Sequence, residues 1–173
     1  MRENNILFFT ATIRKWNKLL NKDKYKDVIV DSLKYLVKIK KIYVYAFVIM
    51  PNHIHILWSI REPYLLPNIQ RDFLKFTAQQ IKFDLMKNHP EVLDFFRSKR
   101  KDRNYQFWQD RSYNNILDNR KTIEQKIDYI HLNPLSKKWN LADTPENYKY
   151  SSAKYYLTNE CNWDFITHYY EHS

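Results

Sequence analysis

With 173 residues, a formal charge of +10 and 17% aromatic residues, the chain suits one domain with a polyanionic partner, and its rings favour nucleic acid over an anionic membrane surface. It contains no glycine, which excludes the Gly-rich phosphate loops of P-loop and dinucleotide-binding proteins; any phosphate must be held by side chains, helix ends or a metal. The one cysteine, Cys161, forbids an intramolecular disulfide, and without a signal peptide or a run of ~20 apolar residues the expectation is a cytoplasmic protein with no membrane partner.

Ile6 to Ile13 is a β-branched and aromatic run that predicts a first strand. The basic stretch Arg14 to Lys26 reads as a surface loop, followed by a helix over Asp27 to Lys38 with Val28, Leu33, Leu36 and Val37 as its stripe. Ile42 to Ile49 and His53 to Ile60 are strands joined only by Met50-Pro51-Asn52, so they should pair antiparallel. Asn68 is a candidate N-cap for a long helix reaching Lys87, which His89-Pro90 ends. A short apolar stretch, Val92 to Phe96, precedes the charged run Arg97 to Arg103 and then Tyr105 to Gln109. A helix over Arg120 to Leu132 follows, and an aromatic tail from about 135 carries a short helix near Ser151 to Leu157. This order predicts an α+β domain: an antiparallel sheet with helices packed on one face, leaving the other face or one edge for a ligand. No repeat or linker suggests a domain boundary, so 1–173 reads as one unit.

His53 and His55 lie two residues apart on a strand, where side chains alternate, so both imidazoles face the same side. That is half of a metal site. On the later helix Ile123, Ile127 and Ile130 form the core stripe, which puts Tyr129 on a flank with Asn133 one turn beyond. An Asn133 amide oxygen would make a third ligand and leave positions open, as a catalytic metal needs. Pro134 disfavours helical geometry at Asn133, which makes it the weakest element of the set. A phosphodiester bound there would lie within reach of the Tyr129 hydroxyl as nucleophile. Tyr105 and Tyr113 are rival nucleophiles with no ligand-type residue one turn beyond. Arg97, Lys99, Arg100, Lys101, Arg103 and Arg111 are candidate DNA-phosphate contacts, with Lys15, Lys18 and Lys22 as weaker ones. Phe107 and Trp108 read as packing residues, and His131 and His89 receive no functional role.

The segment Val48 to Trp58, with His53-Ile54-His55 at its centre, resembles the His-hydrophobe-His motif of the IS200-like single-tyrosine (HUH) transposases. Phe107-Trp108-Gln109 followed by Tyr113, then Asp128-Tyr129-Ile130-His131-Leu132-Asn133-Pro134, resemble the REP-associated tyrosine transposase branch, and the late Tyr148-Lys149-Tyr150-Ser151-Ser152 is similar to a serine pair near the end of many such chains. The resemblance runs from about Ile6 to Tyr156. It implies a ferredoxin-like or RRM-like fold, His53, His55 and Asn133 as ligands of a divalent cation, and Tyr129 as the nucleophile. The implied reaction is cleavage and rejoining of single-stranded DNA near a hairpin through a 5′-phosphotyrosine intermediate. Mg²⁺ or Mn²⁺ is the implied metal, whereas ligand type alone points to zinc or manganese. A monomer acting in cis is favoured over a homodimer. The alternatives are a non-catalytic RRM-like nucleic-acid-binding module and a diverged rolling-circle replication initiator; a histidine-triad hydrolase fits poorly, because its third histidine position is Leu57.

Overall fold

The structure, a computed structural model, describes residues 5–160 and 162–172, and the reading of Cys161 lies outside them. Four strands form one antiparallel sheet in the order β2-β3-β1-β4: β1 Ile6–Thr12, β2 Ile42–Ile49, β3 His53–Ile60 and β4 Tyr113–Leu117. With α1 (Asp23–Lys38) between β1 and β2, and α2 (Leu66–Asn88) between β3 and β4, this is the βαββαβ arrangement of a ferredoxin-like fold. The expected α+β class is the observed one.

Strand alternation sorts the sheet residues into two layers. Leu7, Phe9, Ala11 and Ile13 of the first strand and Ile54, Ile56 and Trp58 of β3 face α1 and α2, packing with Ile29, Leu33, Phe73 and Ile81. Ile6, Phe8 and Leu57 face the opposite side. In β2 the alternation breaks at a bulge between Val44 and Ala46, so Tyr45 and Ala46 both turn to that second layer. The second face is not left free: α4 (Arg120–Leu132) crosses it, burying the predicted stripe Ile123, Ile127 and Ile130. The N-terminus of α4 is capped by Asn119, whose side-chain oxygen accepts from the Thr122 N–H at 2.9 Å.

Several boundaries differ from expectation. The basic stretch after β1 contains two short 3₁₀ turns, Arg14–Trp16 and Leu19–Asn21, and α1 begins at Asp23 rather than Asp27. Asn68 is not a cap: α2 begins at Leu66, with Pro67 in its first turn, where a missing N–H costs nothing. Val92 belongs to a short helix, α3 (Pro90–Asp94). Tyr25 on α1 donates to Asp84 on α2 at 2.6 Å, tying the two long helices together.

The tail beyond Pro134 wraps the exposed edge of β2. Ser151 bridges Val48, Ile166 bridges Val44, and α5 (Ala153–Thr158) lies between these contacts. This covers an edge that would otherwise offer unpaired backbone groups. At the centre of the contact the Phe47 N–H donates to Ser152 Oγ at 3.0 Å, and the same oxygen lies 2.8 Å from His131 Nε2. Burial pushes the His131 imidazole down to about 4, so it is neutral at pH 7. His131 therefore has a structural role, joining α4 to β2 through the tail. Replacing Ser152 by Ala leaves both buried groups without that partner and should cost about 2 kcal/mol, read as a lower urea midpoint at unchanged slope.

Candidate active site

Because β3 pairs with β1 so that His55 opposes Thr10 and His53 opposes Thr12, both histidines project into the layer beneath α4. Their rings lie 4.8 Å apart, centroid to centroid. Tyr129, on the flank of α4, places its ring 5.2 Å from that of His55 and 6.1 Å from that of Phe8. Phe8 stacks on His55 at 5.3 Å and walls the site on the β1 side. Tyr129 remains 50% exposed, so its ring borders the histidines while staying open to a ligand from solvent.

Each histidine is oriented through its Nδ1. His53 Nδ1 lies 2.7 Å from Asn52 Oδ1, and His55 Nδ1 lies 2.7 Å from Thr10 Oγ1. The Asn52 amide nitrogen donates to the Trp16 carbonyl at 3.1 Å, which fixes the oxygen as the atom facing His53. An amide oxygen only accepts, so His53 carries its proton on Nδ1 and its Nε2 keeps a free lone pair. In His55, Nε2 is buried and has no hydrogen-bond partner. Burial, with Lys138 secondary, pushes the His53 pKa down to about 4; burial, then His53 and Lys126, pushes that of His55 to about 3. Both imidazoles are neutral at pH 7. Two neutral imidazoles with oriented Nδ1 atoms, and an orphaned Nε2 on the buried one, fit a cation-binding pair.

Among the described residues no group of three or more His, Cys, Asp or Glu side chains could hold a metal. Any third protein ligand among these residues would be of another type, and Asn133 is the sequence candidate. The backbone of Asn133 stays helical, at φ −54° and ψ −44°, and leads into a 3₁₀ turn, Asn133–Leu135. Pro134 thus does not break the register at Asn133, which continues the turn that carries Tyr129. Of the rival tyrosines, Tyr113 flanks the same face with its ring 6.4 Å from Phe8, whereas Tyr105 pairs with Arg97 in the loop after α3.

The basic candidates sit on the segment 97–111, and neither histidine lines the hollows they border. Arg100, Arg103 and Arg111 line an open groove of about 860 Å³, whose other wall is Arg71, Lys75 and Lys82 of α2. The three α2 residues were missed from sequence, where a charged helix face ordinarily reads as solvated. Arg97, Arg100 and Arg103 are held by ion pairs with Asp94, Asp110 and Asp102. Lys99 and Arg111 line an adjoining hollow with Arg14, and Lys101 is exposed on the same loop. Phe107 and Trp108 are buried, and Trp108 Nε1 donates to Thr77 Oγ1 at 3.2 Å, so they pack as expected. Thr10, Asn52, Phe8 and Lys126 were also missed. Only Asn52 had a local signal, its place beside His53.

No protein-family model matches the chain, and comparison with curated proteins gives no significant match. Among solved structures, the chain is similar to a REP-associated tyrosine transposase bound to a REP hairpin. The TM-score is 0.66 and the identity 17%, over 95% of this chain and 87% of that one. A transposase-assigned chain from Deinococcus radiodurans R1 overlaps at TM-score 0.48 and 16% identity, over 73% of this chain and 90% of that one, a level that carries no weight. The chain has the fold of a REP-associated tyrosine transposase.

The histidine pKa values set a stability signature. Each imidazole binds protons less readily folded than unfolded, so its stabilising contribution is present above about pH 6.5 and is lost as pH falls toward the folded values. Urea midpoints should therefore fall between pH 7 and pH 4, and the fall should be smaller in His55→Asn. An unchanged pH dependence in that variant would show that His55 does not titrate as described.

Proposed function

We propose that the protein is a metal-dependent single-stranded DNA endonuclease and strand transferase, transposase-like, acting on hairpin-bearing DNA through Tyr129. The observation that carries this reading is the convergence, within one chain, of a neutral histidine pair and a half-exposed tyrosine on one sheet face. The shared fold supports it, as does the sequence pattern around His53-Ile54-His55 and Tyr129.

In the proposed reaction the Tyr129 hydroxyl oxygen attacks phosphorus. A P–O bond to tyrosine forms as the phenolic proton is given up to solvent, the bond to the upstream 3′ oxygen breaks, and that oxygen takes up a proton to become a 3′-hydroxyl. The strand is left joined to Tyr129 through its 5′ phosphate, and attack by a 3′-hydroxyl in reverse rejoins it. His53, His55 and Asn133 would hold a divalent cation, Mg²⁺ or Mn²⁺, which when bound supplies Lewis-acid polarisation of the scissile phosphate. Asn52 and Thr10 hold the imidazoles with Nδ1 engaged. Phe8 and the α4 stripe form the apolar side of the site. The groove between α2 and the loop 100–111 would receive the phosphates of the paired stem. Assembly of tyrosine and histidines within one chain supports action in cis by a monomer.

Incubation with labelled hairpin-bearing single-stranded DNA and Mn²⁺ or Mg²⁺ should give a covalent protein–DNA band on a denaturing gel. The band should vanish with EDTA, in Tyr129→Phe, and in His53→Ala or His55→Ala, while both histidine variants keep most of their DNA affinity. A band that survives in Tyr129→Phe would rule that residue out as nucleophile. Binding without any covalent product on any hairpin would favour the non-catalytic module.

The groove makes a separate prediction. Lys75→Ala and Arg111→Ala should each weaken DNA binding across sequences and reduce the slope of log K against log salt by about 1. A salt titration by fluorescence anisotropy measures this directly, and unchanged slopes would place the stem elsewhere.

A further inference from the structure

Beside His53, among residues that do not line the groove, a cluster of two indoles and two lysines takes no part in the chemistry above. Trp16 is 59% exposed and sits in the 3₁₀ turn after β1. The turn is left-handed at two consecutive non-glycine residues, Lys15 at φ 55° and Trp16 at φ 57°. Bulky residues rarely adopt that backbone, and strain of this kind persists where surrounding contacts enforce it. Here they do. The Trp16 N–H donates to the Ile13 carbonyl at 2.9 Å, and the Trp16 carbonyl accepts from Asn52 at 3.1 Å. The turn that holds the Trp16 ring in solvent is thus the turn that orients His53.

A second indole, Trp139, approaches from the tail with its ring 5.9 Å from that of His53. Lys138 Nζ lies 6.0 Å from the Trp16 ring centroid and 5.2 Å from that of Trp139, and Lys18 Nζ lies 5.7 Å from Trp139. Neither lysine is ion-paired with a carboxylate among the described residues. An exposed indole, Trp16, beside a half-buried one, Trp139, with uncompensated ammonium groups between them, offers what a single nucleic-acid strand needs: stacking for a base and charge for its phosphates.

We propose that Trp16, with Trp139, Lys18 and Lys138, forms a stacking subsite for an unpaired nucleobase of the DNA strand entering the site past His53. The interior bases of a paired stem cannot use it, because both of their faces are already stacked. The subsite would therefore select DNA with an unpaired segment next to the hairpin and hold that segment against the histidines. This rests on the single-stranded DNA reading given above.

The test is an equilibrium binding cycle in EDTA, using fluorescence anisotropy and two labelled probes: a hairpin with a short unpaired extension, and the same hairpin cut blunt. Trp16→Ala should weaken binding of the extended probe about tenfold and leave the blunt probe within a few-fold; Trp16→Phe should restore most of the loss. One position of the extension, replaced by an abasic nucleotide, should weaken wild-type binding similarly and cause no further loss in Trp16→Ala. Fully additive losses at every position, or equal losses on both probes, would overturn the subsite. If neither hairpin binds, the functional reading falls with it. If the protein cleaves through Tyr129 while Trp16→Ala binds both probes as wild type, only the subsite falls.

Discussion

A slip of one residue between β1 and β3 would carry His53 and His55 through the sheet into the apolar layer beneath α1 and α2. It would also bring Ile54 and Ile56 out under α4. The register Thr10↔His55 is thus the constraint on which the site depends. It is enforced from both faces, since Leu7, Phe9, Ala11, Ile54, Ile56 and Trp58 are committed to one apolar layer and Ile6, Phe8 and Leu57 to the other. It also supplies the Thr10 hydroxyl that engages His55 Nδ1. The bulge in β2 serves the same arrangement, because it turns Tyr45 and Ala46 together into the layer that α4 covers.

The other half of the site hangs from a helix rather than from the sheet, so its position needs a separate lock. The tail provides it. Ser152 reaches the backbone of Phe47 in β2 and the ring of His131 in α4, joining three segments at one buried hydroxyl. His131 is two residues from Tyr129 and faces inward, while Tyr129 faces the ligand side. The tail, which contributes no reacting group in the proposed chemistry, sets where the α4 flank meets the histidines. Ser151-Ser152, a motif remote from the other motifs in sequence, acquires a mechanical reason for its place.

Elements with one clean period were legible from sequence. β2, β3 and α4 fall where the alternation and the Ile123, Ile127, Ile130 stripe put them. β4 was not legible: Tyr113-Asn114-Asn115-Ile116-Leu117 is an edge strand with only Leu117 buried, and its asparagines mask the pattern. Its place comes from pairing with β1 and from the Gln70–Asn114 contact to α2. The face covered by α4 was missed because a helix stripe says that a helix is buried, and not against which side of a sheet. Within the site, spacing could reveal His53, His55 and the flank of Tyr129, since each follows from local geometry. Thr10 and Phe8 are joined to His55 only by strand register, and Trp16 only by a left-handed turn that no propensity favours. Tertiary pairing decides those contacts, and no local pattern encodes it.

Electrostatics ties these parts together. The protein is strongly basic, yet the histidines at its centre are held neutral, first by burial and then by the lysines around them. Lys138 lowers the pKa of His53 and also bridges the indoles of Trp16 and Trp139; Lys126 lowers that of His55 and lies 5.5 Å from the ring of Tyr129. These two ammonium groups thus do two things with one charge. They add to burial in holding the imidazoles neutral, and they present positive potential on either side of the histidine pair, Lys126 beside Tyr129 and Lys138 beside Trp139. A neutral side chain at either position would remove positive potential from the site, while burial, the larger cause, would still hold the imidazoles neutral at pH 7.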